Sequence, residues 1–517
     1  MERQKRIFGL ETEHIPLYLD GKGEDHSTEL ASILQRSQSP PCSLSRLLLT
    51  MVKGLSDQNI PYRFFDPKSG VLFYDDMGHL EIATPECRDP MEVVAWNSGA
   101  REFLTELLVR LRALSPSQET LTLASVGGGF EVAELRRRFL SSRGSHESYL
   151  IRPEEKHHKL GYWLVKYGSE LASFMVSRQF VCGNESVFSG DFTLSQRTPF
   201  IEEDVNGALT TGRGILNTKD DPLSNTGFRL HLASGDSNVS DWSIFLKFAL
   251  TGIVIAMLED GFLKEKRSGI AVLGNKVKAL HEACADISGK KIIMETGIED
   301  GPKRRVSTLD HLIAFYEIMR EYFRHTPAVW WEKKALKMFR FVLEHLENDN
   351  AIALSDKLDW AIKKRCMDEY MRSRNIKSYA DHRVQAIDFR YHDLSPAHNV
   401  FKKLDGAGRI AHLISPETIA HARNNTPTTR AAWRSTIFRA LQKRLKELDP
   451  HNTTKIRQDW ESLQIETFLE EKCIRVDCLD PFADNLREIL APQIRQIESL
   501  TKEDLLPISK RASAEPE

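Results

Sequence analysis

Residues 7–13, Ile-Phe-Gly-Leu-Glu-Thr-Glu, alternate strictly. In an extended strand Phe8, Leu10 and Thr12 then share one face, while Gly9, Glu11 and Glu13 share the other. Such a strand needs a sheet with an apolar side to bury. On its polar side two carboxylates stand ~6.6 Å apart, where like charges repel by ~2.5 kcal/mol at an effective dielectric of 20. A divalent cation would remove that cost; a solvated strand face is the plainer alternative for one Glu-x-Glu.

The pattern recurs along the chain. Val71 to Asp75 and His79 to Ile82 read as two short strands around a turn at Asp76 to Gly78, with His79 and Glu81 opposite Leu80 and Ile82. Asp75 ends the first of them, where a carboxylate serves either as a base or as a satisfied turn residue. Phe228 to Leu232 sets Arg229 and His231 against three apolar residues, and Gly235 to Asn238 reads as a turn and helix N-cap. Gly144 to Ile151 adds His146 ahead of an apolar strand; without a second histidine four residues on, it is not the zincin pattern. Strands that present acids, imidazoles and a guanidinium on one face suit metal-bound phosphate, and hard oxygen ligands with histidine favour magnesium or manganese over structural zinc. There is no Walker A sequence, and Gly127-Gly128-Gly129 reads as a flexible loop.

The 517 residues are 41% hydrophobic and 28% charged with a net charge of −2, which argues against a disordered chain and against a dedicated nucleic-acid binder. Gly, Pro, Ser and short alternating runs fill the first 240 residues, as expected for strands joined by loops. From Ser240 the texture is helical, with stripes such as Leu309, Leu312, Ile313, Tyr316, Met319 and Leu336, Phe339, Val342, Leu343, Leu346. A polar run from Asn424 to Thr429 precedes a helix through Ala431 to Leu448. The expected division is a catalytic domain over 1–429, a small C-terminal domain over 430–508 and a disordered tail over 509–517. The fold class is α+β, a strand-rich catalytic sheet padded by helices. The longest apolar run, inside Phe248 to Leu258, falls short of the ~20 residues that span a bilayer and reads as a buried helix. With no secretory signal after Met1, a cytoplasmic protein with neither membrane nor nucleic-acid partner is expected. Seven cysteines without a Cys-x-x-Cys pair read as buried reduced thiols, with Cys87 or Cys182 as a nucleophile the minor alternative.

The order of the motifs resembles the family of Pup ligase and Pup deamidase/depupylase, enzymes with a glutamine-synthetase-like catalytic domain. The resemblance runs from Gly9-Leu10-Glu11-Thr12-Glu13 through Asp75 and Glu81-Ile82-Ala83-Thr84-Pro85-Glu86-Cys87 to Ser145-His146-Glu147-Ser148 and Ser177-Arg178-Gln179. It continues through Leu194-Ser195-Gln196-Arg197, Arg213 to Asp220, Arg229-Leu230-His231, Tyr391-His392-Asp393, Thr429-Arg430-Ala431, Trp460 and Asp480-Pro481-Phe482. It implies that Glu11 and Glu81 bind Mg2+, that Glu13, His146 and His231 complete the metal and phosphate cradle, and that Asp75 is the base. It also implies ATP contacts at Thr84 and Trp460, and phosphate or acyl-phosphate contacts at Arg197, Arg229 and Arg430, with Arg213 and Lys219 in the same cofactor-binding group.

Three positions depart from the family pattern: Val71 and Phe73 stand where arginine and tyrosine are usual, and Lys219 replaces an arginine. Phe73 has no oxygen to offer a metal, so that ligand is lost or supplied by Tyr74. The implied activity is ATP-dependent ligation of a Pup-type ubiquitin-like protein to lysine amines of target proteins. Open alternatives are the hydrolytic deamidase/depupylase and an ATP-dependent phosphotransferase or small-molecule ligase on the same scaffold.

Overall fold

The computed structural model describes residues 5–505 apart from 20–62, 77–78, 115–119, 126–129, 133–136, 140–143, 152–158, 188–189, 209–210, 220–223, 225, 266–271, 297–303, 449–454 and 467–471. The loop read at Gly127 to Gly129 and the tail from Ser509 lie outside the described residues.

Seven strands make the main sheet: β1 (Phe8–Leu19), β2 (Arg63–Phe65), β3 (Leu72–Asp76), β4 (His79–Ala83), β5 (Thr120–Ala124), β6 (Ser145–Ile151) and β7 (Phe228–Gly235). Their order is β7-β6-β1-β4-β3-β2, and β5 pairs with the far half of β1. Every pairing in it is antiparallel. The alternation of residues 7–13 holds, for Phe8, Leu10 and Thr12 are buried while Glu11 and Glu13 are partly open. Register then gathers the polar residues of separate strands on one face, because cross-strand partners lie on the same side. Glu11 stands opposite His146, Glu13 opposite Glu81, and His231 opposite Ser148.

Helices back the apolar face. The central one, α3 (Asp241–Glu259), is buried along almost its whole length and starts at Ser240, whose hydroxyl accepts from the Trp242 amide. It is long and apolar enough to cross a membrane, but 89% of that stretch is buried inside the fold, so it is a core helix. Gly252 lets it approach the sheet: a Cβ there would meet the Phe8 ring at 3.0 Å. Phe8 itself packs edge-on against Phe248 and Trp331, at 6.4 and 5.8 Å between ring centres. The two helical stripes read from sequence lie on α4 (Thr308–His325) and α5 (Trp330–Glu347).

Two readings need correction. The first 240 residues are not only strands and loops, since α1 (Pro90–Leu114) and α2 (Leu160–Ser177) lie there. A signal for α1 was present: Asp89 accepts from the Met91 and Glu92 amides at 2.8 and 3.0 Å, and Pro90 opens the helix. The segment after β7 is also not an N-cap. Asp236 is 1% exposed, and its carboxylate accepts from the Asn184, Gln196 and Arg197 amides and from the Ser195 hydroxyl. It fixes the loop that carries Arg197.

Past residue 429, α6 (Arg430–Leu448) packs with β8 (Lys455–Gln458), β9 (Ser462–Glu466), β10 (Lys472–Asp477) and the helix Leu486–Glu498. Trp433, Ile437, Leu441, Leu463, Ile465 and Ile497 form a core there, separate from the one under the main sheet.

Candidate active site

The polar face of the sheet is a basin of acids and imidazoles. Glu11 sits at its centre: one oxygen takes the Arg229 guanidinium at 2.5 Å, while the other lies 3.4 Å from His146 Nδ1 and 3.7 Å from His231 Nε2. Burial works to raise its carboxyl, but Arg229 and then His146 outweigh it and hold the group well below the usual carboxylate range. Glu13 accepts from the Gly144 amide at 2.7 Å and lies within 4.0 Å of His146 and 3.9 Å of His79. A Cβ at Gly144 would stand 2.3 Å from His146 Nε2 and 2.7 Å from the Glu13 carboxylate, so a larger residue there would displace these two side chains. Glu147, between His146 and Ser148, faces the core, where Arg178 grips it at 2.5 and 2.8 Å.

Glu81 is the exception in this basin. It is 2% exposed, its Oε1 has no hydrogen-bond partner, and Tyr74 donates to the carboxylate. Burial pushes its carboxyl up, and the Glu11 and Glu13 charges push it further. His231, 2% exposed, has neither ring nitrogen hydrogen-bonded, and burial followed by His146 drives it towards the neutral imidazole, the form that ligates metals.

These leftovers answer whether the residues fit a cation. The ligand atoms of Glu11, His146 and His231 lie within 4.8 Å of one another, and so do those of Glu13, Asp76 and Glu81. Crowded carboxylates, a neutral imidazole and an unpartnered buried oxygen fit a hard divalent ion.

The hairpin register changes the reading of β3. Tyr74 pairs with Glu81 and Asp76 with His79, whereas Asp75 pairs with Leu80, which is wholly buried in the core. Partners share a face, so Asp76 and Tyr74 look into the basin and Asp75 lies on the other side. Burial and then Glu13 raise the Asp76 carboxyl. Phe73 is core, and the tyrosine oxygen at the basin is that of Tyr74.

Beside the basin is a pocket that shares Glu11 and Arg229 with it; Thr84, Pro85, Glu86, Tyr149, Arg430, Trp460 and Pro481 are among its walls. Thr84 accepts from the Leu10 amide at 3.0 Å and so ties β4 to β1 as well as facing the pocket. Arg430 does not project as a free phosphate ligand: Nε donates to Glu86 at 2.8 Å and the side chain is 2% exposed. Arg434 completes the clasp with two bonds to the same carboxylate, at 3.0 and 2.9 Å. Arg430 is legible in the sequence motif, but Arg434 and the role of Glu86 are not, because a contact across 348 positions leaves no local pattern. Arg197 is 2% exposed, donates to the Ala233 carbonyl and helps hold Glu13 ionised. Arg213 opens the short strand Arg213–Asn217, is partly open, feels the Glu13 charge and stacks on Phe200; Lys219 is exposed just past that strand. Cys87 and Cys182 are buried with thiols pushed up, the latter to about 11, which disfavours a nucleophilic role.

An antiparallel sheet whose polar face pools acids, histidines and arginine beside an aromatic-walled pocket is consistent with the glutamine-synthetase-like α+β fold expected from the motifs. The model of the Pup-ligase protein family matches residues 6–464, and the chain belongs to that family. A Pup–protein ligase of Kocuria rhizophila is 28% identical over 503 residues, covering 93% of this chain and 96% of the relative. One of Acidimicrobium ferrooxidans is 30% identical over 384 residues, covering 72% and 79%. Among solved structures, the complex between Pup and its ligase PafA superposes with a TM-score of 0.75 at 22% identity, covering 99% of this chain and 98% of the other. PafA in complex with ADP gives 0.68 at 22% identity, covering 89% and 94%.

Proposed function

We propose that this chain is an ATP- and Mg2+-dependent ligase that joins a Pup-type ubiquitin-like protein to lysine amines of target proteins, with a catalytic domain over 1–429 and a C-terminal domain over 430–508. The observation that carries it is the continuity of basin and pocket through Glu11 and Arg229. A nucleotide laid across them would set its base by Trp460 and its phosphates over the acids and imidazoles. The ligase names of the relatives support that reading over the hydrolytic one, and the ADP complex of a fold neighbour supports nucleotide use.

An amine cannot displace hydroxide from a carboxylate at neutral pH, so the carboxylate must first be activated. A glutamate side chain of the modifier takes the terminal phosphoryl group of ATP, giving an acyl-phosphate and ADP. The lysine amine then attacks the acyl carbon, phosphate leaves, and the amine proton passes to a protein carboxylate. Glu11, Glu13, Glu81, His146 and His231 would hold Mg2+, with Tyr74 and Asp76 at its border; bound there, the ion supplies charge neutralisation for the phosphates. Arg229, Arg197 and Arg213 offer guanidinium charge to the moving phosphoryl group. The base comes from the end of β3, and the register favours Asp76 over Asp75.

The test is incubation of the full chain with ATP, Mg2+, a Pup-type protein and a lysine-bearing target. Formation of an isopeptide-linked product with one ADP released per bond supports the assignment. ADP release with phosphate transfer and no conjugate would replace it with a phosphotransferase.

A further inference from the structure

Glu86 lies where β4 leads into α1; it is 6% exposed and lines the pocket beside the basin, with its carboxylate turned to α6. Its carboxylate is shared by two arginines of α6. Arg434 binds both oxygens, and Arg430 binds Oε1. Burial alone would raise this carboxyl, yet Arg434 and Arg430 hold it down at about 2.

Arg434 does more than pair. Its Nη1 donates to the Trp460 carbonyl at 2.8 Å, and its guanidinium lies 5.1 Å from the Trp460 ring centre and 4.5 Å from that of Phe65. Phe65 in turn meets the Trp460 ring edge-on at 5.2 Å. The backbone and ring of Trp460 are therefore both set by one guanidinium, whose orientation is set by Glu86. Arg63 steadies the same turn from β2, donating to the Gln458 carbonyl and to Asp459.

The segment's attachment does not depend on that chain of contacts. Thr429 donates to the Glu86 carbonyl, Arg88 donates to the carbonyls of Thr428 and Phe482, and Ser435 donates to the Pro67 carbonyl. Loss of the Glu86 carboxylate alone leaves these ties in place.

We propose that Glu86 is a positioning residue for the nucleotide pocket: it orients Arg434, and through Arg434 it fixes Trp460 as the aromatic wall. This rests on the reading of that pocket as the ATP site. Interactions equal in ground and transition state change KM and leave kcat. A residue that only sets the wall against the nucleotide base therefore belongs to the first kind.

The experiment uses the full chain with Glu86→Gln, and Arg434→Lys as the second variant, which keeps the charge but loses the planar fork and its stacking. ATP turnover with Mg2+ is measured alongside hydrogen exchange of the amides from Asp459 to Glu466. In both variants KM for ATP is expected to rise about tenfold or more with kcat within about twofold, and exchange in that turn to quicken while α3 stays protected. Wild-type KM and wild-type exchange in both variants overturn the inference. So does a fall in kcat at unchanged KM, which would put Glu86 in the chemistry. If Glu86→Gln fails to fold, Arg434→Lys decides. If the wild-type chain turns over no ATP, the pocket reading fails, while the exchange arm still tells whether Glu86 fixes the Trp460 turn.

Discussion

Glu81 and Glu86 are five residues apart and both buried, and the charges around them are opposite in sign. Glu86 has two arginines and a carboxyl held at about 2. Glu81 has a tyrosine hydroxyl, one unpartnered oxygen, three neighbouring carboxylates and a carboxyl pushed well up. Burial enters both with the same sign, so the neighbours make the difference. A chain that can satisfy a buried glutamate so fully at 86 leaves 81 unsatisfied where a ligand is expected. The first is a structural ion cluster; the second, in the proposed function, is where a cation would be held.

The largest break in that comparison comes from neutralising Glu81. Glu81→Gln should lower Mg2+-dependent ADP formation by ~10²-fold or more, since losing even an outer-shell partner costs up to that much. The melting temperature of the metal-free protein should hold or rise, because an unfavourable buried charge is gone. Calorimetry and a coupled ADP assay read both. A stable variant with full turnover would remove Glu81 from the metal site.

Glu86→Ala should do the reverse to the fold, costing ~3–5 kcal/mol because two buried arginines lose their counter-charge. The pH dependence of the metal-free protein sharpens the contrast. The Glu86 carboxyl is depressed in the fold, so its stabilisation is present above the unfolded value near 4.5 and is lost as pH falls towards about 2. The Glu81 carboxyl is raised, so its contribution is complete below the unfolded value and is lost as pH climbs through the raised one. Urea melts across pH should show the acid limb flatten in Glu86→Gln and the higher limb flatten in Glu81→Gln. The same slope in wild type and both variants would refute the electrostatic account.

Much of this arrangement was legible in the sequence, for a definite reason. Within one strand, alternation fixes which residues share a face, so Glu11 with Glu13, His79 with Glu81 and Arg229 with His231 could be read directly. Across a turn that parity is lost, since a one-residue slip in register exchanges the faces. The family resemblance made Asp75 the base, whereas its position alone read as a turn aspartate; the hairpin pairs Tyr74 and Asp76, not Asp75, with the basin residues Glu81 and His79. Beyond Thr12 the signal also fades: Ile15, Pro16 and Leu17 are all buried, so alternation no longer marks the strand, yet β1 continues to Leu19. Arg434 was invisible for another reason. A buried arginine on a helix resembles any surface one until its carboxylate, far away in sequence, is known.

That slip is testable. Asp76→Asn should reduce conjugation by ~10²-fold with nucleotide binding nearly intact, as removal of a general base does. Asp75→Asn should stay within a few-fold of wild type, as expected for a group on the other face. Single-turnover assays with ADP and conjugate measured together separate the steps. A larger loss at Asp75 than at Asp76 would mean that the strand end turns over when substrates bind.

The smallest expected effect lies at the pocket's aromatic wall. Trp460 is half-buried, meets Phe65 edge-on and carries the Arg434 guanidinium over its ring, so part of its surface serves packing and the rest faces the pocket. Stacking of a base on an aromatic ring contributes ~1–3 kcal/mol, and a partly engaged ring belongs near the lower end. Trp460→Ala should therefore raise the dissociation constant for ATP by about five- to tenfold. Trp460→Phe, which keeps a flat ring, should recover most of it. Titration calorimetry gives the affinities, and a thermal melt shows how much of the change is packing. If alanine lowers stability and leaves ATP affinity untouched, the ring is core and the nucleotide base must lie elsewhere. If phenylalanine binds as poorly as alanine, the indole contributes through an edge contact that no smaller ring can replace.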